Sequence, residues 1–341
     1  MARFLIRRIL GGIIVVLVVT LAVFVLFGPV LRWQSDISPA RLYAGKNPTP
    51  EQIDRVSQLL GLDKPYYEQY LMTLRRLVVG PSDEEKARLC PGSTPDECDQ
   101  IVGRFGSSFS EQVSVDTLIW DAFPVTLSLT VLSAIIWLII SIPIGIWSAI
   151  RPRSLLDRSA TVFVLIGQSL PAYYLGLLAL YLLSYKYGLF PLSGYVPITD
   201  PLQWLYHLFL PACVLALSFA ALYVRITRSQ MLDQLGEDYV RTARAKGASE
   251  KRTVIRHAFR NAMLPVVTMF GLDLGLLLGG AILVEVTFGL PGIGWLTVQA
   301  AKRLDVPTTA GIVMFTAIII VIANIVVDIV NAALDPRIRL E

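Results

Sequence analysis

Six stretches of this chain are long and apolar enough to cross a bilayer as helices, and that limits the fold more than any other feature. They are Ile9–Leu31, Ala122–Ile150, Ser159–Tyr185, Leu208–Val224, Ala262–Val284 and Thr308–Val327. A hydrocarbon layer of roughly 30 Å takes about 20 helical residues. In lipid the backbone amides are satisfied only within helices or closed barrels. The first four runs carry no charge, the fourth is short, the fifth contains Asp273, and the sixth ends just before Asp328. Only 16% of the 341 residues are charged, against about 25% in a soluble domain. A disordered chain, a disulfide mini-protein and an ordinary cytosolic enzyme are excluded. The expectation is an all-α polytopic membrane protein with six transmembrane helices.

Basic residues in the short loops set the orientation. With the N-terminus inside, the inner segments Met1–Arg8, Arg151–Arg158, Arg225–Asn261 and Asp335–Glu341 hold 17 Lys and Arg. The two short outer loops hold only Lys186, Lys302 and Arg303. Both termini are therefore expected to be cytoplasmic. The first run is 23 residues long and ends in Gly28-Pro29-Val30-Leu31-Arg32-Trp33 rather than a small-x-small cleavage site. It reads as an uncleaved span, not a signal peptide.

The division that follows is 1–31 for the N-terminus and first span, 32–116 for an extracytoplasmic lobe, and 117–341 for a five-helix core with an inner loop over 225–261. The lobe holds 13 acidic and 10 basic residues. Thr49 caps an expected helix over Pro50–Gly61, with apolar residues at Ile53, Val56, Leu59 and Leu60. Tyr66–Val79 reads as a second. Cys90 and Cys98 stand in a Pro/Gly-rich stretch, where a local disulfide or two free thiols in a mobile loop are the two readings. Cys213 reads as a small buried apolar residue.

No motif for bond-making chemistry is present. The chain has no phosphate-binding Gly-x-x-x-x-Gly-Lys-Ser/Thr loop, no His-Glu-x-x-His and no Gly-x-Ser-x-Gly. Its histidines, His207 and His257, fall on opposite sides of the membrane. Neither catalytic residues nor a metal site is expected. What remains is a pore, a receptor or a transporter.

The inner loop is the informative segment. Glu237–Lys246 has helical composition with acids first and bases last, as the helix dipole prefers. Gly247 stops that helix, and Ser249 can cap a second one from Glu250 towards Asn261. Tyr239, Val240 and Ala243 form an apolar patch ringed by Arg241, Arg244 and Lys246, suited to docking in another protein's cleft. The alternative is a basic loop lying on anionic headgroups.

The run Asp238-Tyr239-Val240-Arg241-Thr242-Ala243-Arg244-Ala245-Lys246-Gly247-Ala248-Ser249 resembles the coupling loop of binding-protein-dependent ABC importer permeases. More narrowly, the chain resembles the first permease subunit of the dipeptide/oligopeptide/nickel importers, over nearly its whole length. The motifs include Leu60-Gly61-Leu62-Asp63-Lys64-Pro65, Pro124-Val125-Thr126-Leu127 and Ile142-Pro143-Ile144-Gly145. Leu156-Asp157-Arg158, Ser169-Leu170-Pro171 and Phe190-Pro191-Leu192-Ser193-Gly194 follow. Glu285-Val286-Thr287-Phe288, Leu290-Pro291-Gly292-Ile293-Gly294 and Leu334-Asp335-Pro336-Arg337 complete the series. The chain departs from the family in lacking a Pro-Gly-Asp-Pro stretch after span one and in an insertion over Pro81–Gly103, which holds the cysteine pair. Its loop motif also ends in Ala258-Phe259-Arg260, with Leu264-Pro265 only afterwards.

The resemblance implies half of a pore in a bacterial inner membrane, paired with a second, similar permease subunit. Two cytoplasmic ABC ATPases would grip the coupling helices, and an extracytoplasmic binding protein would deliver substrate. It implies no cofactor of the chain's own, ATP and Mg being bound by the ATPases. Membrane lipid is the remaining partner, and nucleic acid is not among them. On this reading Glu237, Asp238, Tyr239, Val240, Arg241, Thr242, Ala243, Arg244, Lys246 and Gly247 form the ATPase-coupling element.

Acids at membrane depth are costly and default to a functional reading. Asp273 would face the translocation cavity, where it could meet a peptide ammonium, or else fix helix packing. Glu285 would belong to an outer gate or dock the binding protein. Asn324, Asp328 and Asn331 share a helix face and read as holding helices together. A nickel path would be expected to place His, Met or Cys inside the spans, so peptide is the preferred cargo, with nickel or glutathione as the family alternative. A stand-alone channel or carrier would need several ionisable spans or an inverted repeat, and a non-transporting receptor would leave the basic inner loop unexplained.

Overall fold

The computed structural model describes residues 2–30, 40–41, 48–59, 61–90 and 94–334. Leu60, the Arg32-Trp33 pair and the Asp335-Pro336-Arg337 motif lie outside them, as does the side chain of Asn331. The described residues are almost entirely helical, with two isolated bridges, Gly103 to Gly106 and Ser107 to Ser114. We number the helices α1 (Ala2–Val25, extended by a π turn over Leu26–Val30), α2 (Pro50–Leu59), α3 (Tyr66–Val79), α4 (Asp83–Leu89) and α5 (Pro95–Ile101). The core follows with α6 (Val115–Ile150), α7 (Leu155–Ser169), α8 (Ala172–Ala179, widening into a π segment over Leu180–Lys186), α9 (Pro201–Gly236) and α10 (Asp238–Ala245). The last are α11 (Glu250–Leu278), α12 (Ile282–Phe288), α13 (Ile293–Lys302) and α14 (Val306–Leu334).

Local chemistry starts these helices where they start. Ser114 Oγ accepts from the Asp116 amide at the head of α6, and Ser154 Oγ from the Asp157 amide at the head of α7. Asp200 caps α9, with Pro201 as its first residue. Each satisfies an amide that the first helical turn leaves without a partner.

Five helices, α1, α6, α9, α11 and α14, are each long and apolar enough to cross a membrane, and two bent pairs meet the same test. The third apolar run is one such pair, turning through 97° between Ser169 and Ala172. Pro171 occupies the corner as the cap of α8. The fifth run differs more. Its helix begins at Glu250 and ends at Leu278, and the chain then forms a separate pair, α12 and α13, crossing at 83°. The fourth run is not short: α9 has 36 residues. Its ends are too polar for a hydropathy reading, but they continue the helix beyond the apolar layer.

The core lies among α6, α9 and α11. Trp137 is fully buried, stacked on Phe219 at 4.8 Å and packed against Tyr223 and Phe270. Where helices approach most closely, glycine makes room. Gly145 of α6 faces Thr227 and the Val224 carbonyl of α9, and Gly167 of α7 faces Ala221. The outward faces carry exposed Ile13, Val18, Ile139, Leu165, Ile166 and Leu276. Apolar surface of that extent is suited to lipid or a partner subunit.

At one end of the bundle, the lobe end, α3–α5 are linked to one another beside the start of α6. Thr49 and Gln52 cap α2 reciprocally, each side chain accepting from the other's amide. Tyr70 of α3 donates to the Leu17 carbonyl of α1 at 3.1 Å and packs on Phe24. Cys90 and Cys98 are joined by a disulfide, buried with Val102 between α4 and α5. The chain has three cysteines. Alkylation of the denatured, unreduced protein should therefore label Cys213 alone, and reduction should expose the other two. Labelling of all three without reductant would refute the bridge.

Candidate functional site

The end opposite the lobe carries the two-armed element. α9 stops at Glu237, whose extended backbone turns the chain straight into α10. The Lys246, Gly247 and Ala248 amides donate back to the carbonyls of Thr242, Arg244 and Ala243, closing the corner. Gly247 there has φ +83°, a conformation that strains any residue with a Cβ. The second arm does not end near Asn261. It is the first part of α11 and runs without a break into the bilayer-length helix, through a π segment at Thr253–Ala258. Ser249 precedes it without making a side-chain cap bond.

Of the expected apolar docking patch on α10, Val240 faces inward while Tyr239 stays exposed. Val240 is fully buried with Ala149, Met231, Val254, Ala258 and Ala262, at the ends of α6, α9 and α11. Tyr239 Oη donates to Gln234 at 2.6 Å and accepts from Asn261 Nδ2 at 3.1 Å. Sequence shows that the three residues share a stripe but not which way the stripe turns. Burial by the chain's own helices takes Val240, leaves Ala243 half-buried, and leaves Tyr239 exposed beside Glu237, Asp238, Arg241, Thr242, Arg244 and Lys246. Arg244 ties the arms together, its Nε and Nη2 lying 3.1 and 2.7 Å from the two carboxylate oxygens of Glu250. That hydrogen-bonded pairing raises the guanidinium pKa above its ordinary value, so it stays charged. Such exposed pairs contribute only about 0–1 kcal/mol, but two-point geometry fixes the angle between the arms.

Glu285 lies at the lobe end and presents no surface on which a protein could dock, because it is fully buried. Its Oε1 accepts from Thr126 Oγ1 at 2.8 Å and the Ala281 amide at 3.2 Å, and its Oε2 from the Trp295 amide at 3.0 Å. Thr126 in turn accepts from the Ile293 amide at 2.8 Å. A Cβ on Gly292 would come within 2.6 Å of both the carboxylate and the threonine, and Gly280 and Gly294 face each other backbone to backbone. Three separate motifs, around Thr126, Glu285 and Gly292, thus build one cradle that pins the α12–α13 hairpin to α6.

Beyond it, Asp305 clamps the lobe to the core. It accepts from the Ser108 hydroxyl, from Ser110 Oγ at 2.8 Å and from the Phe109 amide at 3.2 Å. Burial pushes its carboxyl pKa up, but the hydroxyl and amide donors outweigh that and hold it below the ordinary value.

Asp273 is half-buried in α11 and accepts from Tyr223 Oη of α9 at 2.6 Å. It shares no hydrogen bond with Glu285 or the arms among the described residues. Asp328 pairs with Arg8 at 3.1 Å, joining α14 to α1, and Asn324 is half-buried on the same helix. His207 and His257 sit near opposite ends of the bundle. Sequence reasoning passed over Thr126, Asp157, Arg228 and Asp305. The first two stand inside motifs noted above, and Arg228 is the second of two cations, three residues after Arg225, just past an apolar run.

A bundle of bilayer-length helices, with a rigid two-armed handle at one end and a pinned hairpin at the other, is the architecture of a membrane-embedded transport subunit. Residues 141–340 match the family model described as binding-protein-dependent transport system inner membrane component, and residues 1–130 match its N-terminal counterpart. Among curated proteins, the oligopeptide transport system permease protein AppB of Bacillus subtilis is 36% identical over 345 residues, covering 99% of this chain and 100% of its own. The dipeptide transport system permease protein DppB of Escherichia coli K12 is 35% identical over 326 residues, covering 88% of this chain and 89% of its own. The chain belongs to the family of binding-protein-dependent transport system inner membrane components.

Proposed function

We propose that the chain is the permease subunit of an ATP-driven importer of di- and oligopeptides, forming half of its pore in a bacterial inner membrane. The observation that carries the reading is the arm itself: α10 and the head of α11 form a stiff corner at Gly247, fused directly to two bundle helices. Force applied there is passed on rather than absorbed. The family and its peptide-permease relatives supply the context.

In this reading six spans cross the membrane and both termini are cytoplasmic. Helix length supports the count. Two helical segments of about 22 Å, meeting at 97°, still reach about 30 Å from end to end, whereas α12 and α13, about 10 and 15 Å long, reach only about 20 Å. The α7–α8 pair then crosses and the α12–α13 hairpin re-enters from the lobe side. Residues 32–116 face the binding protein, and the loop over 225–261 faces two ATPases that bind the ATP and Mg. A second permease completes the pore. On this reading Asp273, held by Tyr223, receives a peptide ammonium in the translocation path.

The test is the complex co-expressed with its neighbouring genes and reconstituted in liposomes. ATP-dependent uptake of labelled peptide, dependent on the binding protein, is the expected result. Uptake of nickel in place of peptide would overturn the cargo, and ATP-independent flux by the chain alone would overturn the class. Gly247→Asp strains the corner, and Arg244→Glu sets two carboxylates against each other. Both variants should hydrolyse ATP with uptake reduced at least about tenfold, and unchanged uptake in both would count against the arm.

A further inference from the structure

At the arm end, three helices meet on one buried carboxylate. Asp157, in the first turn of α7, is 5% exposed. Its oxygens accept from Arg228 Nε at 2.6 Å and Arg228 Nη2 at 3.0 Å, both from α9. They also accept from the Arg153 amide at 2.8 Å and from the hydroxyl of Ser148, fully buried near the end of α6. Arg228 Nε lies 3.1 Å from that same serine oxygen. The surroundings are built for this meeting. Arg153 takes φ +64°, uncommon for a residue with a Cβ, and so turns its amide toward Asp157. Gly145, one turn before Ser148, brings α6 against Thr227, the neighbour of Arg228.

The position of the cluster matters as much as its bonds. From Arg228, α9 continues for about 13 Å before Glu237 turns it into α10. Met231, one turn past Arg228, is packed in the same cluster as Val240 of the arm. Motion of the arm therefore reaches α9 first, and at Arg228 it meets the only described ion pair joining α9 to α7. Apolar residues could hold these helices together as firmly, since a buried ion pair is weak evidence for stability. A two-point guanidinium–carboxylate fork adds a fixed orientation instead.

We propose that Arg228, Asp157 and Ser148 form a yoke: positioning residues that make the inner ends of α6, α7 and α9 move as one body with the coupling arm. This rests on the function proposed above, so its test has one readout that does not. Spin labels are placed at the exposed positions Leu155 and Asp238 of the full-length chain, and their separation is measured by pulsed resonance. In parallel, peptide moved per ATP hydrolysed is measured in the reconstituted complex. The variants are Arg228→Lys, which keeps the charge and loses the fork, and Asp157→Asn, which keeps the shape and loses the charge.

The native chain should give one narrow distance, and both variants should give a distribution at least about twofold broader. Peptide per ATP should fall at least about fivefold, with ATP hydrolysis within about twofold of native. The melting temperature should change little in Arg228→Lys and fall in Asp157→Asn, whose NH2 must oppose one of the donors around it. Unchanged distance widths in both variants would overturn the yoke. So would broadening accompanied by proportional loss of ATP hydrolysis and uptake. Broadening in a complex whose native form shows no ATP-driven uptake would uphold the rigid unit and overturn the functional reading instead.

Discussion

Replacing Glu285 by glutamine is expected to be nearly as damaging as replacing it by alanine, although glutamine has the same shape. Every partner of this carboxylate is a donor. Oε1 receives the Thr126 hydroxyl and the Ala281 amide, and Oε2 receives the Trp295 amide. Thr126 already accepts from Ile293, and if its second lone pair turns to accept from a glutamine NH2 its own hydroxyl hydrogen loses its acceptor. A glutamine must turn its NH2 toward one side or the other. In one orientation it opposes Trp295 N–H, and in the other it opposes Ala281 N–H and the threonine hydroxyl. Each buried donor left without an acceptor costs about 1–3 kcal/mol, so a destabilisation of about 2–4 kcal/mol follows for the hairpin. Limited proteolysis between Ile282 and Lys302 should quicken at least about tenfold, with uptake lost. Thr126→Ser keeps the hydroxyl and should stay close to native, whereas Thr126→Val should resemble the glutamine variant. Native proteolysis and uptake in Glu285→Gln would show that the cradle does not hold the hairpin.

What was legible in the sequence followed from chemistry that is local along the chain. The apolar runs located the bundle because backbone in lipid has so few solutions. Thr49, Gln52 and Pro65 marked the ends of lobe helices through caps that act within three or four residues. Gly247 marked the corner of the arm because a helix stop is a property of one residue. What escaped depended on partners distant in sequence. The inward turn of Val240 is decided by Ala149, Met231 and Val254, which lie on other helices. The bonds of Glu285 were not visible in its apolar run because donors that satisfy it come from Thr126 and Trp295. Arg228 and Asp157 are 71 positions apart, and neither advertises the other. The ends of α9 were missed for another reason: hydropathy reports where a helix meets lipid, not where it ends.

The same distinction bears on helix seams, where glycine spacing is visible in the sequence but the severity of each contact is not. Gly271 and Gly275 of α11 and Gly279, its cap, recur every fourth residue and face α14, an arrangement that brings membrane helices close. They are not equivalent. A Cβ on Gly271 would fall 1.8 Å from one methyl of Val327 and 2.7 Å from its Cβ, whereas one on Gly275 would meet Ala323 at 3.2 Å. Valine is stiff at χ1 and clashes close to its own backbone, so α14 itself must move to admit even alanine. Gly271→Ala should therefore cost about 1–3 kcal/mol as an overpacked site, lowering the melting temperature and the yield of the detergent-solubilised protein. Gly275→Ala should be close to neutral. The decisive variant is the double change Gly271→Ala with Val327→Ala, which removes both methyls but leaves the residue-327 Cβ 2.7 Å away, and should recover part of the lost stability. If Gly271→Ala melts like the native protein, or if the double variant is no better than the single one, the close seam between α11 and α14 is not what those residues provide.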